Sequence, residues 1–244
     1  MPLRKQVNYL KVSKKVVLVL VEGITDETTL GLILSKIIGR DYVVRFHVIG
    51  GDIAAKTGVN RKNCLNKLVD EVKKYIEKDF YKKSDISEII QLVDMDGTYI
   101  PDDHVVFDQR KLEGKSHIYY TEEEILTDQV ERIIQRNKQK SVVLDKYIET
   151  KRVYGGIPYR IFFFSCNLEH VLYNVQNLPD KNKYLFASEV QELYAEQPVD
   201  FINFMNSSEI ESGEEYHSSW ENVKKTENSL KRRSNLNLYL NQFK

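Results

Sequence analysis

The chain predicts an open, mostly parallel α/β sheet flanked by helices, followed by a C-terminal mainly helical addition. Three observations predict it. The run VVLVLV at 16–21 is apolar at every position, the pattern of a strand buried on both faces. Strand-like runs alternate with helix-spaced stretches over the first hundred residues, as in parallel sheets with helical crossovers. Two of the strand runs end abruptly in acidic residues, Glu22-Gly23 and Asp94-Met95-Asp96-Gly97, and sheets of this class present their chemistry at the carboxyl ends of their strands.

After the first strand, Thr25 to Gly39 carries Leu30, Ile33, Leu34, Ile37 and Ile38 at helical spacing. Tyr42 to Ile49 predicts a second strand, and Arg61 to Phe80 supplies Leu65, Leu68, Val69, Val72 and Ile76 to one face of a second helix. Ile89 to Val93 closes the strand-helix-strand-helix-strand series, whose crossovers are expected to be right-handed. Pro101-Asp102-Asp103 marks a loop, and Lys115 to Tyr120 a further strand. Glu122 to Lys138 predicts a charged helix burying Ile125, Val130, Ile133 and Ile134; its Lys and Arg residues are most simply a solvated face, the alternative being the wall of a nucleic-acid groove. Tyr159 to Phe164 predicts the last sheet strand, running into Ser165-Cys166-Asn167-Leu168-Glu169-His170. There Asn167 suits a helix N-cap with Glu169 in the first turn.

The remainder reads as a helical appendage. Ala187 to Glu196 and Val199 to Met205 are separated by Pro198, and 206–219 is a polar, acidic linker. Leu236, Leu238, Tyr239, Leu240 and Phe243 fit helix and strand spacing equally. The basic triplet Lys231 to Arg233 beside them is either a surface turn of a segment packed on the core or a grip for phosphates or a partner.

At 244 residues with 41% hydrophobic and 30% charged residues, the chain can bury a full core. Its 36 basic and 36 acidic residues cancel, so any polyanion must be met locally rather than by a general positive field. Cys64 and Cys166 cannot make a disulfide framework or a CxxC metal site, and the apolar runs are far shorter than a membrane span. Met-Pro-Leu-Arg-Lys is followed by polar residues instead of a secretory apolar core, so a soluble cytoplasmic protein without a membrane partner is expected.

Carboxylates grouped on one sheet edge repel each other, and a hard divalent cation relieves that repulsion through oxygen ligands. Mg2+ or Mn2+ is therefore the expected cofactor, and metal-assisted phosphoryl transfer the expected chemistry. The residues that carry this reading resemble the TOPRIM domain shared by topoisomerases, bacterial primases and OLD-type nucleases. That domain has an apolar strand entering Glu-Gly, an acidic residue a few positions on before an apolar helix, and a second strand ending in Asp-x-Asp. Here Glu22-Gly23, Asp26, Leu30 and Asp94-x-Asp96 match, over about the first 110 residues.

The resemblance implies a TOPRIM-like, Rossmann-like core over 1–110, the rest of the α/β domain over 111–175, and a helical region over 176–244. It implies catalytic roles for Glu22, Asp94, Asp96 and Glu169, with Glu22, Asp26, Asp94 and Asp96 as metal ligands. Small proteins of this type serve as nucleases of bacterial anti-phage defence and abortive infection, beside an ATPase. DNA or RNA, tRNA included, is thus the expected substrate, with a partner ATPase and a homo-oligomer as possible assemblies. No strand-passage or zinc-binding module follows, which argues against a topoisomerase or complete primase.

Each match also has a structural reading: Glu-Gly as a βα turn, Asp26 as a first-turn acid, Asp-x-Asp-Gly as a solvated turn. Gly50, Lys56 and Thr57 have the spacing of a phosphate-binding P-loop, but Ala55 stands where that loop needs glycine, and Gly58 and Asn60 fall where its helix should start. Gly50-Gly51-Asp52 is better read as a turn on the acidic rim. Two alternatives to a nuclease stand: a non-catalytic subunit binding nucleic acid or a partner, and an NTP-dependent enzyme using Lys56 and Thr57.

Overall fold

The computed structural model describes residues 14–79, 81–111 and 117–244. The expectations for Met1 to Lys5, Phe80 and residues 115–116 lie outside the described residues. Six strands and helices build the first half of the sheet and its cover: β1 (Val16–Val21), α1 (Ile24–Ile38), β2 (Val43–Val48), α2 (Cys64–Lys78), β3 (Ile86–Asp94) and, later in the chain, β8 (Ile157–Phe164). Between β3 and β8 come β4 (Val105–Phe107), β5 (Ile118–Tyr120), β6 (Ile125–Thr127), α3 (Val130–Glu149) and β7 (Arg152–Val153).

The main sheet has the order β2-β1-β3-β8-β7. Its first four strands are parallel and β7 is the antiparallel hairpin partner of β8. This is the mostly parallel α/β architecture that the sequence predicts. β1 is central and every one of its residues is buried. Val17, Val19 and Val21 face a core shared with Leu30, Ile33 and Leu34 of α1, whereas Val16, Leu18 and Leu20 face Leu68 and Val72 of α2 and Leu144 and Tyr147 of α3. Because successive strand side chains point to opposite faces, a strand covered by helices on both sides must be apolar at every position.

The C-terminal part supplies α4 (Leu168–Tyr173), α5 (Asp180–Ala195), α6 (Pro198–Met205), α7 (Tyr216–Val223) and α8 (Asn237–Leu240). Phe201, Ile202 and Met205 of α6 and Tyr239 and Leu240 of α8 enter the α1 side of the core, while Trp220 of α7 enters the α2 side. The segment around Ser229–Asn235 lies along the end of β8. There Ser165 N–H donates to Arg233 O (2.7 Å), Cys166 N–H to Ser229 O (2.8 Å), and Phe163 N–H to Asn235 Oδ1 (2.9 Å). These bonds satisfy backbone groups that β7, pairing only with Ile157 and Pro158, leaves uncovered.

Three elements differ from their expectations: α5 begins at Asp180 instead of Ala187, α7 begins at Tyr216 inside the stretch read as a linker, and the charged helix excludes Ile125. Ile125 belongs to a strand, not to the charged helix, because residues 125–127 pair with β4 on one side and β5 on the other in a small three-stranded sheet. The helix starts at Val130 and extends to Glu149. A strand of three residues is too short to show alternation, and its isoleucine falls in phase with the helix that follows.

Candidate functional site

The parallel sheet delivers acidic residues to one edge. Glu22 follows the last residue of β1, Asp94 ends the adjacent β3 with Asp96 two residues beyond, and Glu169 lies in the first turn of α4 after β8. The expected grouping is present. Asp94 N–H donates to Glu22 Oε1 (3.4 Å), tying the ends of β1 and β3 together. Asp94 Oδ1 in turn accepts from Leu168 N–H (2.9 Å), which draws in the start of α4. Asn167 caps that helix as expected, accepting from His170 N–H (2.8 Å).

Asp26 holds the entrance of α1, its Oδ2 accepting from Gly23 N–H (2.9 Å). The turn after β2 closes onto the same edge. Gly50 and Gly51, both with positive φ (78° and 104°), donate their N–H groups to Glu22 O at 3.2 and 2.8 Å. Asp52 then accepts from Ala54 and Ala55 N–H (2.7 and 3.1 Å), so the turn is organised around a carboxylate. The helix after this loop starts at Cys64, seven residues beyond Thr57. This arrangement lacks the helix N-terminus beside Lys56-Thr57 that a P-loop uses to hold phosphate.

The sequence reading missed the cation of the site. Lys140 Nζ, fully buried, lies 2.7 Å from Asp52 Oδ2 and 2.8 Å from Asp96 Oδ2. Tyr120 Oη donates to the other Asp96 oxygen (3.1 Å), Arg136 Nη2 to Asp96 O (2.8 Å) and Asn137 Nδ2 to Gly97 O (3.2 Å). α3 thus clasps the Asp96-Gly97 turn, in which both residues have positive φ (51° and 67°). The available signal was positional: Ile133, Asn137, Lys140, Leu144 and Tyr147 recur at spacings of three and four, so Lys140 falls on the buried face of its helix.

These contacts split the carboxyls electrostatically. Burial, then the neighbouring Asp52 carboxylate, push Glu22 well above its usual range; burial, then Glu22, do the same to Asp94. Asp26 is pushed up to about 6 by burial, with Glu169 adding to the rise. Burial also acts to raise Asp96, but Lys140 and Arg136 outweigh it and hold that carboxyl below its usual value. Lys140 itself is raised because Asp52 and Asp96 outweigh its burial. His170 is pushed down to about 4 by burial and then by Arg232, which leaves it neutral near pH 7.

Glu169 pairs with Lys183 of α5 (3.2 Å). Both line an open cleft of about 840 Å³ together with Asp94, Asp96, Tyr120 and Lys181. The cleft therefore has an acidic floor beside a basic wall.

The donor set is chemically right for a hard cation, since Glu22 and Asp94 are carboxyls that burial and mutual repulsion leave short of positive charge. Among the described residues, however, no three carboxylate, imidazole or thiol side chains are arranged to hold an ion as they stand. Asp96 is occupied by Lys140 and Tyr120, and one Asp94 oxygen by Leu168 N–H. Also among the described residues, no helix is long and apolar enough to cross a membrane. No family model matches the chain, and no significant match exists to a curated protein or a solved structure.

Proposed function

We propose that this chain is a Mg2+- or Mn2+-dependent nuclease with a TOPRIM-like acidic rim, hydrolysing phosphodiester bonds of DNA or RNA. The observation that carries the reading is the meeting of Glu22 and Asp94 at the carboxyl ends of adjacent parallel strands, both pushed toward protonation, with Asp94 lining an open cleft. Glu22, Asp94 and Asp96 are the proposed ligands, with Asp26 and Glu169 in support. A divalent cation bound there supplies positive charge to phosphate oxygens and acidifies an attacking water.

The protein's own groups have distinct tasks in this reading. Glu22, whose pKa burial and Asp52 push well above the usual carboxylate range, is the group assigned to give or take a proton as a general acid or base. Lys140 keeps Asp96 ionised and fixed, and Lys181 and Lys183 give a polyanion a basic contact beside the acidic rim. Service beside a partner ATPase in anti-phage defence in the cytoplasm belongs to the same proposal and rests on the resemblance alone.

A second reading, a non-catalytic binding subunit, is favoured by one observation: Asp96 already has an internal counter-ion in Lys140. The two readings separate when purified protein is incubated with Mg2+ or Mn2+ and supercoiled DNA, single-stranded DNA, bulk RNA or tRNA. The nuclease reading expects cleavage of at least one substrate, abolished by EDTA and by Glu22→Gln. Cleavage that persists in excess EDTA would remove the metal mechanism, and no cleavage of any substrate would leave the binding subunit ahead.

A further inference from the structure

A second cavity, of about 380 Å³, shares no lining residue with the cleft at the acidic rim and is lined by the C-terminal part of the chain between Ser208 and Arg233. Its lining is chiefly polar and includes Lys231 and Arg233, the hydroxyls of Ser208 and Ser212, and the amides of Asn222 and Asn228. Glu211 is the one carboxylate among the described lining residues, against two cations. Neither Lys231 nor Arg233 forms an ion pair with a described carboxylate; Arg233 Nη1 is directed to the carbonyls of Ser208 (2.5 Å) and Glu211 (3.5 Å), which fix its position without neutralising it. In contrast, the neighbouring Arg232 is spent on structure, pairing with Glu209 and donating to the carbonyls of His170 and Val171 at the end of α4.

Two cations against one carboxylate, a chiefly polar lining and a volume suited to a small ligand define a chemistry: a compact anion with further polar groups. The volume exceeds what inorganic phosphate fills and suits a phosphate carrying a sugar or base.

The cavity wall is also wired to the rim. Arg233 O and Asn228 O hold the N–H and Oγ of Ser165, and Ser229 O holds Cys166 N–H. Cys166 O accepts from Asp96 N–H, and two residues further Leu168 N–H donates to Asp94. A ligand pulling on Lys231 and Arg233 therefore acts on the turn between β8 and α4, which both aspartates contact.

We propose that this cavity binds a small phosphate-bearing ligand of mononucleotide size, and that its occupancy is transmitted to the rim through Ser165–Leu168. The binding does not depend on the nuclease reading. The test is calorimetric titration of the full chain with AMP, pyrophosphate and inorganic phosphate at matched ionic strength, with amide exchange followed over 163–170. AMP is expected to bind saturably, Lys231→Ala to weaken it about tenfold or more, and Asn222→Ala to weaken it less. Glu211→Gln should tighten it, and exchange at Cys166 and Leu168 should slow. Failure of all three probes to bind overturns the site. So does AMP binding that Lys231→Ala leaves intact and Lys183→Ala removes, because the ligand then lies on the acidic rim. Binding without any change in exchange over 163–170 overturns the transmission.

Discussion

Replacing Lys140 by Met keeps the aliphatic stem and removes one fully buried charge. Two short charge-assisted hydrogen bonds vanish, at 2.7 and 2.8 Å, and the part-buried carboxylates of Asp52 and Asp96 lose their shared counter-ion. Breaking a buried ion pair from one side typically costs about 3–5 kcal/mol, because the surviving charge stays desolvated. Two lost bonds of about 1.5–3 kcal/mol each give about 3–6 kcal/mol, which overlaps that range. The cost should depend on pH. In the parent protein Asp96 titrates below its unfolded value, so its contribution is complete above about pH 4 and is lost only as pH falls through the lowered pKa. Without Lys140, only Arg136 and Tyr120 are left to oppose the burial, so Asp96 titrates higher than in the parent and the difference in stability closes as pH falls through that higher pKa.

Denaturant unfolding of both proteins at about pH 7.5 and about pH 5 should therefore show a gap that narrows on acidification. Adding Asp52→Asn to the variant should return part of the stability, since one of the two stranded charges is gone. A gap below about 1 kcal/mol at both pH values, or one that widens toward acid, would refute the assignment of Lys140 as the internal counter-ion.

Asp94→Asn should lower nuclease activity by about two orders of magnitude or more while metal-free thermal unfolding is unchanged or higher, because it relieves repulsion with Glu22; Asp70→Asn serves as the distant control and should alter neither. Metal-free stability should rise as pH is lowered through about 6, where Asp26 takes up its proton before its unfolded counterpart does, and Asp26→Asn should flatten that slope. Arg232→Ala should cost about 1.5–3 kcal/mol in denaturant unfolding and speed amide exchange in α4, whose last carbonyls it bonds. Gly97→Ala should destabilise by about 1–3 kcal/mol: φ is +67°, and a Cβ would meet Leu230 Cδ2 at 2.8 Å and Ile125 Cδ1 at 2.9 Å.

The sheet was legible because β1 and β8 are covered on both faces and so cannot hide their apolar runs, and α1 because its buried residues keep strict helical spacing. The acidic residues were legible for the related reason that charge directly after such a run must emerge at a strand end. Lys140 and Arg136 were not, since a lysine or arginine on a charged helix is ordinarily solvated and only the burial of its neighbours reveals the inward face. The course of 229–235 along β8 was hidden as well. Its bonds run largely through backbone carbonyls and the side chains of Ser234 and Asn235, which leave no hydrophobic period.

That course has a consequence for the order of assembly. The strands bearing Glu22 and Asp94 are made early, and β1 pairs in parallel with β2 and β3, all within the first 94 residues. The partners of Ser165 and Cys166, which set the approach of Glu169 and of the amide that holds Asp94, are synthesised more than sixty residues later. Because chains fold from the N-terminus as they emerge, the acidic edge stays unfinished until Ser229 to Arg233 has left the ribosome. A cell making this protein thus meets the finished rim only on chains elongated past that point, and interrupted translation products carry its carboxylates without their final alignment.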